Sequence, residues 1–414
     1  MTQAPLLRQI TDYANRADPY PLYAELRKTP VLQEEDGGPF VISTYWDIQS
    51  LLHDPRISSD ASNLTARGDE LTEQEEEEEA ALPPSFLRLD PPEHDRLRRM
   101  TNRSFGPPHS PRRVHDMRGE LAGIVSGLIA GFGDTDRIDV VDQFSYPFPV
   151  TVICRLLGVP REDEARFHSW ADTIAAGLDP VPGDDPTERN RVTHEARMQL
   201  GMYLAGLVEE RRKTPGDDML SELVTSHGPD GPMTTMEVLS TAALLLIAGH
   251  ETTVNLITNG MLTLLRHPEV LQRLRDDPRL AVSIVEELLR YEPPVQLVPQ
   301  RTCIADIEVR GVTIPKGSSI WLVLAAGNRD PERFKDPERF DPDRQDIQHL
   351  GFGSGVHSCF GAPLARLEAQ LALTELARRL DNPRLVEDPP LYRQNAVLRG
   401  PRHLNITFDG LRPQ

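Results

Sequence analysis

The chain has 414 residues, with 45 Lys and Arg against 64 Asp and Glu; the resulting net charge of −19 would repel a phosphate backbone, which excludes nucleic acid as a partner. The three cysteines, Cys154, Cys303 and Cys359, form no CxxC pair and support neither a disulfide framework nor a structural zinc site. The first residues lack the apolar core of a signal peptide and no stretch approaches ~18 uninterrupted apolar residues, so a cytoplasmic protein without a membrane anchor is expected.

A short helical pattern, Pro21–Lys28, precedes two β-like runs, Val31–Glu34 and Phe40–Thr44, which Asp36-Gly37-Gly38 predicts to form a hairpin. From Arg56 to Pro84 polar residues dominate, and the run Glu75–Glu79 reads as a solvated loop. The segment after Pro92 turns basic and begins a helix, on which His94 and Arg98 stand four apart on one face. They could grip one anionic group; taken alone they read as a solvated basic helix.

Residues 114–225 read mostly as helices parted by Pro and Gly breaks. The apolar helix Phe144–Leu157 makes Cys154 a packed core thiol. A Gly- and Pro-rich segment, Ala175–Pro186, separates helices at Glu162–Ala175 and Thr187–Lys213. The long helix expected at Thr234–Arg266 opens with Thr234 and Glu237 at capping-box spacing. Its centre, Ala242–Gly249, is apolar on every face and is expected inside the protein. His250-Glu251-Thr252-Thr253 follows at once, and a buried acid is costly unless it is hydrogen-bonded or functional. Two readings stay open for this turn: a bulge facing a cavity, or a kink with an exposed carboxylate.

Helices near Pro268–Arg275 and Pro278–Tyr291 come next, the second ending before Pro293-Pro294. It carries Glu287 and Arg290 at i, i+3. Strand-like runs at Ala305–Val309, Thr313-Ile314 and Ser319–Leu324 lead through a Pro- and Asp-rich stretch to Gly351-Phe352-Gly353-Ser354-Gly355-Val356-His357-Ser358-Cys359-Phe360-Gly361. This loop presents one sulfur at the start of a helix, Ala362–Leu380, whose N–H groups favour thiolate over thiol. On the residues alone, a metal ligand and a nucleophile are both open. The fold class is mainly α with small β-sheets, and no internal repeat or linker divides residues 1–414, which are read as a single domain.

Four motifs occur in order. F-G-x-G-x-H-x-C-x-G is met by Phe352, Gly353, Gly355, His357, Cys359 and Gly361; A-G-x-[DE]-T-[TS] by Ala248, Gly249, Glu251, Thr252 and Thr253; E-x-x-R by Glu287 and Arg290; and Pro337-Glu338-Arg339-Phe340 follows. Together they resemble the cytochrome P-450 superfamily, specifically its soluble bacterial members, over nearly the whole chain.

The resemblance implies a long central helix over a haem b (iron protoporphyrin IX), with Cys359 as the axial ligand of the iron. It implies that His94, Arg98, Arg301 and His357 hold the propionates, and that Ala248, Phe352, Gly353 and Gly361 lie against the haem. Glu251 would relay protons and Thr252 would hydrogen-bond the oxygen being activated. Glu287, Arg290 and Arg339 would form a buried structural network. The reaction implied is insertion of one oxygen atom from O2 into a hydrophobic small molecule, in secondary metabolism, with the pocket lined from Ser58–Pro84, Phe167–Val192, Leu244–Ala248 and Val295–Val298. No reductase segment is present, so NAD(P)H-derived electrons would arrive through a ferredoxin and a ferredoxin reductase. Cys303 and the Glu75–Glu79 run depart from the family pattern. Peroxide-driven turnover and a non-catalytic haem sensor or carrier are the competing readings.

Overall fold

The central helix forms where its cap dictates. Thr234 Oγ1 accepts the Glu237 N–H at 3.2 Å and Glu237 Oε2 accepts the Thr234 N–H at 2.8 Å, the reciprocal bonds of a capping box, and 32 helical residues follow, Thr235–Arg266. The computed structural model describes residues 5–63, 85–105, 113–178, 186–228 and 231–413; the Glu75–Glu79 run and the middle of the Gly- and Pro-rich segment, 179–185, lie outside them.

These residues pack as two units. One is drawn from the segments up to residue 68, 125–145 and from 252 onward, the other from 69–124 and 146–251. The central helix gives its residues up to Glu251 to the second unit and those from Thr252 to the first.

In the first unit the hairpin is as the sequence predicts: Val31–Leu32 pairs antiparallel with Phe40–Ile42. The sheet then extends through Ser319–Leu322, which lies parallel to Phe40–Ile42, to Val298–Cys303 and Ile57–Ser58. Phe40, Ile42, Ile320 and Leu322 point into a core shared with Tyr45, Ile48 and Phe334. The strand Val298–Cys303 was not expected from the sequence, because Pro299 and three polar residues interrupt its pattern; pairing with Ser319–Leu322 and Ile57–Ser58 supplies what local propensity lacks. The run expected as a strand to Leu324 stops at Leu322, and Leu324–Gly327 is one turn of helix. Ile307–Val309 and Val312–Ile314 form the second hairpin of this unit.

The second unit is helical. Glu164–Leu178 and Pro186–Lys213 lie side by side, with Trp170 Nε1 donating to Gln199 Oε1 at 2.9 Å. The apolar helix starts at Pro147, three residues later than expected, because Val141–Ser145 forms a wider π-turn in the first unit. Cys154 is buried in that helix, as expected of a core thiol.

Two expectations for the central helix are corrected. The helix is α without interruption through Gly249–Thr253, with no wider turn there, and Glu251, at 4% exposed, is not the exposed carboxylate of the second reading. Thr253, Val254 and Asn255 are buried on the same turns, and their packing holds the backbone regular despite the hydroxyls. Ala242–Gly249 is not enclosed throughout: Leu245 and Leu246 are buried, whereas Ile247 and Ala248 are exposed.

Candidate active site

The cysteine loop is built by backbone conformations its glycines permit. Gly353 and Gly355 have φ of +65° and +70°, in the left-handed region. A Cβ on Gly355 would also lie 2.1 Å from the Leu52 carbonyl oxygen, so this position is closed to any side chain. Ser354 Oγ is 2.7 Å from His53 Nε2, which ties the turn to the same neighbouring segment. Gly355–His357 forms one 3-10 turn, and the Cys359 N–H then donates to the Phe352 carbonyl at 2.8 Å. Gly361 leads directly into the helix Ala362–Arg379, with Pro363 in its first turn.

This geometry sets Cys359 at the positive end of an 18-residue helix dipole. Its thiol is exposed, whereas Cys154 and Cys303 are buried and burial pushes them up to about 12 and about 11, which keeps both protonated and inert. Of the three cysteine thiols, Cys359 is the exposed one and is available as a ligand.

Behind the loop stands the helix Ala281–Tyr291. Glu287 accepts from Arg290 Nε and Nη2, both at 2.7 Å, and both side chains are fully buried. Arg290 also donates to the carbonyls of Asn328, Pro337 and Arg339 at 3.0, 2.8 and 2.9 Å, and Glu287 Oε1 accepts the Asp341 N–H at 2.8 Å. The expectation for Arg339 is therefore corrected: its carbonyl joins the network while its side chain is exposed, and the third cation is Arg344, 3.5 Å from Glu287. The two arginines lie five residues apart in one Pro- and Asp-rich stretch, and only the chain reversal there selects between them.

Glu286, one residue earlier on that helix, faces the cysteine loop. It accepts from Arg366 at 2.6 and 2.9 Å and lies 3.1 Å from His349 Nε2. Sequence reasoning missed all three residues, although the doubled Glu286-Glu287 was a signal that two directions from one helix were in use. A second buried network, Glu292 with Arg329, Arg399 and Tyr20, was also missed. Burial alone would raise the Glu292 carboxyl, but Arg399 and Arg329 hold it below its ordinary range.

The remaining expected residues divide between the units. Phe352, Gly353, His357, Cys359 and Gly361 share the cysteine loop, and the same unit holds Thr252 on the central helix and Arg301, which pairs with Ile320 in the sheet. The other unit holds His94, Arg98, Ala248 and Glu251. His94 is 1% exposed and its Nδ1 lies 2.8 Å from Asp95 Oδ1, so it is no solvated surface residue; Arg98 is half-buried one turn on.

The donor chemistry fits haem. An accessible thiol at a helix N-terminus suits the iron. In the unit of the cysteine loop, half-buried Arg301 and His357 have the chemistry to bind carboxylates; in the other unit, buried His94 and half-buried Arg98 have the same chemistry. The apolar Ile247, 39% exposed, and Ala248 beside it are exposed in the middle of the central helix, in the other unit.

A mainly α chain with small sheets, a long central helix and one cysteine presented by a glycine-rich loop defines a haem-thiolate class of protein. Comparison with known proteins agrees. Residues 78–408 match the cytochrome P450 family. Cytochrome P450 monooxygenase PikC of Streptomyces venezuelae is 40% identical over 401 residues, covering 95% of this chain and 91% of the relative. Vitamin D(3) 25-hydroxylase of Pseudonocardia autotrophica is 38% identical over 94% of each chain. Among solved structures, the cytochrome P450 PksS of the Bacillus subtilis 168 bacillaene polyketide synthase is 30% identical with a TM-score of 0.86, over 96% of this chain and 99% of that one. The chain belongs to the cytochrome P450 family; it is a haem-dependent monooxygenase. No helix among the described residues is long and apolar enough to cross a membrane.

Proposed function

We propose that Cys359 would supply the thiolate that binds the haem iron, and that the enzyme inserts one oxygen atom from O2 into a hydrophobic small molecule of secondary metabolism, by hydroxylation or epoxidation. The observation carrying this is the exposure of Cys359 at the start of Ala362–Arg379, in a loop whose left-handed glycines fix its position. Haem, when bound, supplies the oxygen activation; the protein supplies binding, orientation and protons.

His94, Arg98, Arg301 and His357 would hold the two propionates, four donors for two carboxylates. Phe352, Gly353, Gly361 and Ala248 would lie against the ring. Glu251, buried beside Thr252 on the central helix, takes a proton from solvent and passes it to the Thr252 hydroxyl, which both accepts and donates. Thr252 then donates toward O2 held in the pocket. Retention of both residues favours O2 over peroxide as the oxidant.

Half-buried Val295 and Val298 support a hydrophobic substrate, whereas Leu297, expected with them, is 1% exposed in the core with Ile10, Tyr23 and Val323. A relative named a vitamin D(3) hydroxylase and one from a polyketide synthase support the same class. Residues 1–414 act as one catalytic domain in the cytoplasm, and electrons from NAD(P)H reach it through a ferredoxin reductase and a ferredoxin.

The CO-difference spectrum of the reduced protein tests the ligand: the wild type gives a thiolate-type Soret band and Cys359→Ser does not. A thiolate band in Cys359→Ser overturns the assignment. Low- to high-spin shifts on titration with apolar compounds, followed by product analysis, identify the substrate.

A further inference from the structure

Glu286 lies in neither the metal-ligand loop nor the Glu287–Arg290 network, yet it is the point where three elements meet. Its carboxylate is bonded on one side by Arg366, from the first turn and a half of the helix after Cys359, and on the other by His349, from the strand of chain entering the cysteine loop. The proton of His349 can be assigned from a neighbour that only donates. The Gly351 N–H points at His349 Nδ1 at 3.0 Å, so Nδ1 is the acceptor and the proton sits on Nε2, where it is donated to Glu286. His349 thus couples the helix Ala281–Tyr291 to the backbone of Gly351.

That coupling reaches Cys359 in two short steps. Gly351 is pressed on the same helix so closely that a Cβ there would lie 2.5 Å from the Leu289 carbonyl oxygen. Leu350 N–H is held as well, by Asn328 Oδ1 at 2.7 Å, and Asn328 Nδ2 donates to the same Leu289 carbonyl. The next residue, Phe352, has its ring between the two partners of Glu286: the Arg366 guanidinium lies 4.6 Å from its centroid and the His349 ring 5.9 Å. The Phe352 carbonyl accepts the Cys359 N–H. Charge, tautomer and the tilted ring contact therefore act on both backbone ends of the turn that carries the sulfur.

We propose that Glu286, acting through His349 and Arg366, is a positioning residue that holds the Cys359 loop in its thiolate-presenting conformation. The inference rests on Cys359 being the haem ligand and adds residues that the sequence motifs do not contain. Glu286 is 19% exposed and His349 4%, so the His349 bond is shielded from competing water, whereas Arg366, 36% exposed, closes the clamp on its solvent side. Burial works against the Glu286 carboxylate, and the His349 and Arg366 bonds more than offset it, holding the group at about 2.

The test uses purified haem-loaded protein and follows, in the reduced CO-bound state, conversion of the thiolate-type Soret band to the thiol-type band, together with the haem midpoint potential. Three variants separate the parts. Glu286→Gln keeps the shape and removes the charge. His349→Phe keeps the ring against Phe352 and removes both hydrogen bonds. His349→Asn keeps an acceptor for the Gly351 N–H, in an Asx-type turn, and loses the link to Glu286. Supporting partners of a metal ligand usually matter by one to two orders of magnitude, so Glu286→Gln and His349→Phe should convert about tenfold faster or more, with His349→Asn between them and the wild type.

Thermal unfolding of the same samples distinguishes a purely structural part. If the variants lose melting temperature yet keep the wild-type conversion rate and potential well below it, the inference is overturned. It is equally overturned if all three behave as the wild type. Should Glu286→Gln yield no folded protein, the contrast between His349→Phe and His349→Asn decides alone: equal conversion rates refute the clamp. A wild type without the thiolate band would instead remove the Cys359 assignment, and this inference with it.

Discussion

Replacing Glu287 by Ala removes the carboxylate that Arg290 holds by two bonds of 2.7 Å, at a place where both side chains are fully buried. A buried ion pair broken on one side usually costs about 3–5 kcal/mol, because the remaining charge is stranded. Here the guanidinium keeps three carbonyl acceptors, which moves the charge penalty toward the lower end. The Asp341 N–H loses its acceptor too, adding roughly 1 kcal/mol. The sum is about 4 kcal/mol, and at ~2.1 cal/mol/K per residue of unfolding entropy this lowers the melting temperature of a cooperative chain of this size by roughly 4–6 °C. Arg339→Ala is the decisive companion. Its exposed side chain is not in the network and only its carbonyl is, so the change should stay within about 0.5 kcal/mol. Arg344→Ala should fall between, since Arg344 lies 3.5 Å from Glu287 and donates to the Lys335 carbonyl at 2.6 Å. Circular dichroism melts of the three variants decide. An Arg339→Ala loss equal to that of Glu287→Ala, with Arg344→Ala neutral, would refute the reasoning.

Acid should weaken the protein in a window set by Glu286. Its folded carboxyl lies at about 2 against an ordinary 4.5, so its contribution is whole above 4.5 and disappears as the pH falls toward 2; urea midpoints between pH 5 and pH 3 should drop less for Glu286→Gln than for the wild type. Gly355→Ala puts a methyl group 2.1 Å from the Leu52 carbonyl oxygen at a left-handed φ, so purified protein should contain much less haem per chain than the wild type. Thr252→Ala should keep oxygen consumption and divert it to peroxide, read as the ratio of peroxide to hydroxylated product; unchanged coupling removes Thr252 from proton delivery.

Local chemistry was legible in the sequence wherever it acted within a few residues. Thr234 and Glu237 announced the cap of the central helix, Asp36-Gly37-Gly38 the hairpin, and Gly361 with Pro363 the start of the helix after Cys359. Contacts that the chain makes with distant segments were not. The strand Val298–Cys303, which carries Arg301, exists because of its partners and not because of an alternating pattern. The choice of Arg344 over Arg339 depends on how Asn328–Arg344 folds back on Glu287, which spacing does not encode. Ile247 and Ala248 misled for a different reason: an apolar run on a helix has the same pattern whether or not other parts of the protein cover it. Glu286 and His349 were overlooked because neither belongs to a motif, and only their joint reach toward Gly351 gives them meaning.

The small sheet that joins Arg137–Asp139 to Asn405–Thr407 bears on how the protein is made. Ile138 pairs with Ile406, and the Val140 N–H with the Leu404 carbonyl, so Arg137–Asp139 must wait during synthesis until Asn405–Thr407 has left the ribosome. Cys359 also emerges late, after the segments at Leu52–His53 and Glu286 that receive its loop. Pairings so distant in sequence are slow to form and leave unpaired edges exposed meanwhile. With Cys359 as the ligand, haem capture would have to follow the emergence of its loop, and a chain shortened before Asn405 would leave Arg137–Asp139 without a strand partner.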